Sequence, residues 1–147
     1  MAKYILFQND RFYRMAPDEA KRDKWMTTPN IVAKEVDDAT YKNVGCKKTV
    51  PTLNGDNISY EDKEHVAIED TERAQNALSD VRDHLISEFK FIADENYDSD
   101  TEVKNMVAFL EGIDKTSVTS FPEGQEIHEY IYDLPGCPQI FPLELYY

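Results

Sequence analysis

The sequence predicts an α+β protein, and three observations carry that reading. Aromatic and β-branched runs fill the first part of the chain, a three-to-four-residue apolar period governs the later part, and the charge changes sign between them. Residues 1–50 hold ten Lys/Arg against seven Asp/Glu, whereas residues 51–147 hold six against twenty-two. The expected arrangement is an N-terminal part containing a β-hairpin, packed on a C-terminal αα-hairpin in a single compact domain. A chain of 147 residues suits one core. Within it we expect a β-rich basic part at about 1–60, an acidic helical part at about 61–135 and an apolar extended tail at about 136–147.

The first element follows from two runs, Lys3-Tyr4-Ile5-Leu6-Phe7-Gln8 and Arg11-Phe12-Tyr13-Arg14-Met15, that flank Asn9-Asp10. Strand-forming residues on either side of a two-residue turn pair specify a hairpin. Pro17 then stands where a first helical residue would. Asp18 and Glu19 precede Lys21, Arg22 and Lys24, the charge order a helix dipole favours, so a short helix is expected at about 17–26. Ile31 to Val36 reads as strand or helix. Asn54-Gly55, between Thr49-Val50-Pro51-Thr52-Leu53 and Asp56-Asn57-Ile58, suggests a second hairpin, with Pro51 confining its strand to an edge or a bulge. The stretch from 31 to 60 is therefore expected to be strand and loop.

Beyond that, Ala74, Leu78, Val81, Leu85, Phe89 and Ile92 recur at helical spacing over some five turns, the stripe of an amphipathic helix. Polar Asp94 to Asp98 interrupt it. Ser99-Asp100-Thr101-Glu102 has the form of a capping box and starts a second helix with the stripe Val103, Met106, Val107, Leu110 and Ile113. Two such helices on a short link make an αα-hairpin. Asp100/Lys104 and Glu111/Lys115 place acid before base at i,i+4. Farther on, Ser120-Phe121-Pro122-Glu123 resembles another helix start, with Ile127, Tyr130, Ile131 and Leu134 as its face. Ile127, Glu129, Ile131 and Asp133 also permit a strand. Pro142 bars a regular helix from the end of the chain.

The chemical motifs are tested by spacing. Asp94, Asn96, Asp98 and Asp100 occupy alternate places of a calcium-loop frame, but Ser99 stands where glycine is needed and Asn105 where a bidentate glutamate is needed. A helix-capping acidic loop is the better reading. His65, His84 and His128 lack the partners of a metal bundle or a zinc protease and are expected at the surface. No G-x-S-x-G, dinucleotide or phosphate-loop motif occurs, and Cys137 has no basic neighbour in sequence to lower its pKa. Cys46 and Cys137 are expected as unpaired thiols in a reducing compartment. No catalytic residue, cofactor or metal is assigned. With neither a signal-peptide pattern nor a long apolar run, the expected location is cytoplasmic, with no membrane partner.

What remains is acidity and an apolar end. The expected function is that of a non-enzymatic acidic interaction or assembly protein that docks on a larger partner. Its acidic interaction surface would be Asp94, Glu95, Asp98, Asp100 and Glu102, and its apolar docking tail Ile140, Phe141, Leu143, Leu145, Tyr146 and Tyr147. The partner is a protein or a second copy of the chain in a homo-oligomer. Direct nucleic-acid binding is disfavoured, because the negative field opposes phosphate. The alternatives are an acidic mimic of DNA that occupies the groove of a DNA-binding protein, and a small enzyme of unrecognised class.

Overall fold

The computed structural model describes residues 2–147. It contains a five-stranded antiparallel sheet and five α-helices, a mixed α+β content. The chain divides into two compact units. The first runs to Lys63 and takes in Leu143–Tyr146; the second comprises Glu64–Pro142 and Tyr147.

In the first unit, β1 (Lys3–Gln8) and β2 (Arg11–Ala16) form the expected hairpin. Asn9 and Asp10 both adopt positive φ, 52° and 67°, as a tight turn matched to strand twist requires. The register slips between Leu6 and Phe7, which places Tyr13 as the extra residue of a bulge. α1 (Glu19–Trp25) begins two residues later than a Pro17 start implies, because the Asp18 carboxylate accepts the Lys21 N–H at 2.8 Å and caps it. β3 (Ile31–Val36) resolves the strand-or-helix ambiguity by pairing with β1 along its whole length.

α2 (Asp38–Gly45) corrects the expectation of strand and loop between 31 and 60. Asp37 caps it, accepting the Thr40 N–H at 2.7 Å, and only Tyr41 and Val44 are buried, too few apolar positions to show a period. β4 (Thr49–Asn54) and β5 (Asn57–Asp62) form the second hairpin, with the turn at Gly55-Asp56 and Gly55 at φ +62°.

The sheet order is β3-β1-β2-β4-β5 and β4 pairs β5 without a register shift, so Pro51 sits in an interior strand, against the edge or bulge expected from it. The reason is local. Leu53 N–H points to β2 and bonds the Asp10 carbonyl at 3.0 Å, but the only β2–β4 pair is Arg11↔Thr52. Pro51 N, two residues back, faces the same way beyond the end of that pairing and forfeits no ladder bond. One face of β1 packs Tyr4 and Leu6 with Ala16, Trp25 and Ile31, and the opposite face buries Ile5 and Phe7 completely.

The second unit is helical. Residues 61 and 62 still belong to β5, and α3 (Thr71–Ala93) starts at the Asp70 cap, about ten residues after the expected change of period. α3 buries Ala74, Leu78, Leu85, Phe89 and Ala93. A 3-10 turn at Asp94–Ser99 leads to α4 (Thr101–Glu111), which buries Val103, Met106, Val107 and Leu110 and packs on α3. Its cap is Asp100, which accepts the Val103 N–H at 3.1 Å. Ser99, the expected cap, instead donates to the Asn96 carbonyl. A carboxylate outcompetes a hydroxyl at a positive helix end.

The Ser120-Phe121-Pro122-Glu123 start is also corrected. Phe121 pairs with Ile68 in an isolated antiparallel bridge, and α5 (Ile127–Tyr132) begins only after Glu126. α5 buries His128, Ile131 and Tyr132. After it, the Tyr132 hydroxyl donates to the Ile140 carbonyl at 2.7 Å, and its ring lies 4.5 Å from that of Phe141.

Candidate functional site

The acidic surface is built from helix ends. The first unit holds eleven Lys/Arg and eleven Asp/Glu, and the second holds five and eighteen, so the whole formal −13 lies in the second unit. Within that unit α3 is nearly balanced, with Glu72, Asp80, Asp83 and Glu88 against Arg73, Arg82 and Lys90. Most of the excess falls outside it. The largest uninterrupted run is Asp94, Glu95, Asp98, Asp100 and Glu102, with no base among them in sequence.

The 3-10 turn folds this run into a corner. Asp94, Glu95, Asp98 and Glu102 are exposed, while Asp100 is half-buried. Asp94 ends α3 at φ +48°. Asp100 is committed internally, because besides capping α4 it accepts the Tyr147 hydroxyl at 2.6 Å. Partial burial and that bond push the Tyr147 hydroxyl above its ordinary range. Lys104 turns to the Asp98 carbonyl at 3.4 Å. Phe91, one helical turn before the corner, is 85% exposed. The corner thus presents four solvated carboxylates. The calcium-loop frame does not form a loop here, since its places fall in the 3-10 turn and the α4 cap.

The apolar tail is placed largely inside the chain. Phe141 and Leu145 are buried, Ile140, Leu143 and Tyr146 are half-buried, and Tyr147 is 52% exposed. Glu144, passed over in the sequence because its neighbours are apolar, is buried in the first unit and accepts a hydrogen bond from the Tyr41 hydroxyl. Lys21 Nζ donates to the Glu144 carbonyl at 3.0 Å. Burial, then the charge of Glu144, raises the Tyr41 hydroxyl far above its usual range, so it stays a donor. In the same unit the Tyr146 ring meets Trp25 edge-on at 4.8 Å.

Two histidines correct the expectation of a surface position. His84 is exposed, as its place beside the stripe implies, and lies 3.9 Å from Glu88. His65 and His128, however, are drawn into the second unit by one carboxylate. Glu126 caps α5, its Oε1 lies 2.9 Å from His128 Nδ1, and its Oε2 lies 3.1 Å from His65 Nδ1. The Phe121–Ile68 bridge and the Gly124 N–H bond to the His65 carbonyl, 2.8 Å, bring the two segments together.

With a carboxylate at each Nδ1, that nitrogen carries the proton and Nε2 holds the lone pair in the neutral ring. Both Nε2 atoms are buried and meet no hydrogen-bond partner. Burial alone would raise the Glu126 carboxyl. The hydrogen bond and charge of His128, its backbone N–H and the charge of His65 outweigh burial and hold it below the usual carboxylate range. The only trace of this clasp in the sequence is Glu126-x-His128 at a helix start; nothing local points to His65.

Among the described residues no group of three His, Cys, Asp or Glu side chains is arranged to hold a metal ion. No described helix is long and apolar enough to cross a membrane. A scan of protein-family models finds no match to this chain, and searches of curated proteins and of solved structures find none either.

Proposed function

We propose that this chain is a non-enzymatic interaction or assembly protein that docks on a larger, basic partner through its second unit. The observation that supports the reading is the confinement of the net charge: one unit is neutral and the other holds −13. A field of that size steers a basic partner and repels an acidic one. The tail contributes little accessible apolar surface, so docking is assigned to the acidic surface, with the corner at 94–102 as its densest part.

The test compares two sets of charge reversals. One converts Asp94, Glu95, Asp98 and Glu102 to Lys and leaves the capping Asp100 intact. The other converts Glu72, Asp80, Asp83 and Glu88 on α3 to Lys. Binding to fluorescent lysine-rich peptides is followed by anisotropy across a salt series. The corner variant should lose more affinity and more salt dependence than the α3 variant. Equal losses would show that only net charge matters and would overturn the corner as the docking site. Unbound peptide at low salt with the unmodified protein would overturn the reading itself.

A further inference from the structure

Resting on the reading of the second unit as an acidic docking module, we infer that a groove at the end of α4 receives one large apolar side chain from a basic peptide segment. The groove has a volume of about 390 Å³, and Ala108, Phe109, Ile113, Leu134 and Pro135 supply its apolar walls. That lies at the lower end of the range for ligand pockets and accommodates an aromatic side chain.

Its floor is fixed before anything binds. Ile113 is only 8% exposed, and Arg82, on α3, donates to its carbonyl at 3.1 Å. The neighbouring α4 residues Met106, Val107 and Leu110 are fully buried. A preformed apolar wall costs little ordering on binding.

Charge selects the occupant. Asp114 lines the groove, and Glu111 and Asp133, both exposed, adjoin its lining segments in sequence, against Lys115 and the half-buried Arg82, whose charge is paired with Asp83 at 3.0 Å. The Thr116 hydroxyl and N–H bond the Asp114 carboxylate at 2.7 and 2.9 Å and hold its pKa below the ordinary value, which favours its ionised form. An apolar side chain flanked by acids would be repelled by this rim and by the field of the unit. One flanked by Lys or Arg would be drawn to both. The groove therefore adds an anchor to an attraction that charge alone leaves diffuse.

The probes are two fluorescent lysine-rich peptides that differ only in a central Trp or Ser, with a glutamate-rich Trp peptide as the third. The unmodified protein should bind the basic Trp peptide about tenfold more tightly than the Ser peptide, as burial of an aromatic side chain predicts. Ala108→Trp, which fills the groove from an exposed helix position, should abolish that preference and leave Ser-peptide affinity unchanged. Gly112→Gln provides a second filling variant, because a Cβ there meets only carbonyl oxygens, at 3.5 and 3.6 Å. In the unmodified protein, backbone NMR shifts on titration with the basic Trp peptide should concentrate at Phe109, Ile113 and Leu134.

Equal affinity for the basic Trp and Ser peptides, or a preference that survives both filling variants, overturns the groove and leaves the charge reading standing. Binding of the acidic Trp peptide as tightly as the basic one overturns the choice of a basic partner. Binding of neither basic peptide at low salt overturns the reading on which the groove rests.

Discussion

At the scale of single residues, carboxylates organise the local structure. Each of the five α-helices begins on one: Asp18, Asp37, Asp70, Asp100 and Glu126. An acid there satisfies an orphan N–H and faces the positive end of the helix dipole. Part of the acidity that stands out in the composition is therefore spent on helix starts. Glu126 does most, since it also holds two imidazoles. Replacing it by Ala removes the cap and leaves two enclosed N–H donors without an acceptor, which should cost about 2 to 5 kcal/mol in urea unfolding.

The pH dependence of Glu126 has a definite sign. Its folded-state pKa is depressed, so its contribution is fully present above the unfolded value, about 4.3, and is lost as pH falls through the folded value. Glu126→Gln should flatten that acid limb below about pH 4.3; a limb of unchanged slope would show that other carboxylates set it. Tyr41→Phe tests the buried Glu144. It removes one hydrogen-bond donor from Glu144 and should cost about 1.5 to 3 kcal/mol, measured as a shift in the denaturation midpoint.

At the scale of elements, legibility follows length and burial. α3 and α4 were readable because each buries four or more residues at helical spacing. α2 was not, because two buried residues in eight make no period. The two faces of α3 yield opposite predictions. Leu78→Ala opens a cavity in a fully buried position and should cost about 2 to 5 kcal/mol. Phe91→Ser, at 85% exposure, should stay within about 0.5 kcal/mol of the unmodified protein. A large loss at Phe91, read by thermal unfolding, would mean that its ring is covered in solution. The starts of α4 and α5 were shifted from their expected places because Ser99 and Ser120 satisfy the motif in sequence while Asp100 and Glu126 satisfy it in space.

At the scale of the whole molecule, charge is the dominant feature. The split read along the sequence, +3 in residues 1–50 and −16 in the rest, becomes zero and −13 once residues are assigned to units. Like charges gathered in one unit repel and oppose its compact state. Raising salt from low to physiological and then to molar concentration should therefore raise the melting temperature of the protein, because screening shortens to about 3 Å at 1 M. A melting temperature that is flat or falls with salt would show that local pairing already neutralises the field.

The sequence by itself determined the α+β class, both hairpins, the α3–α4 pair and the acidic excess of the later part, because these rest on short-range spacing, turn chemistry and composition. Among the candidate site residues, it located the corner from Asp94 to Glu102, whose exposed acids adjoin one another along the chain. Only the tertiary structure decided that Phe141 and Leu145 are buried, that Glu144 meets Tyr41, that His65 meets Glu126 and that Phe109 and Leu134 share a groove. Each of these depends on residues brought together from distant places in the chain. Local propensity and periodicity do not register such pairs, since the energy that joins them is gained only when the core forms and water is excluded.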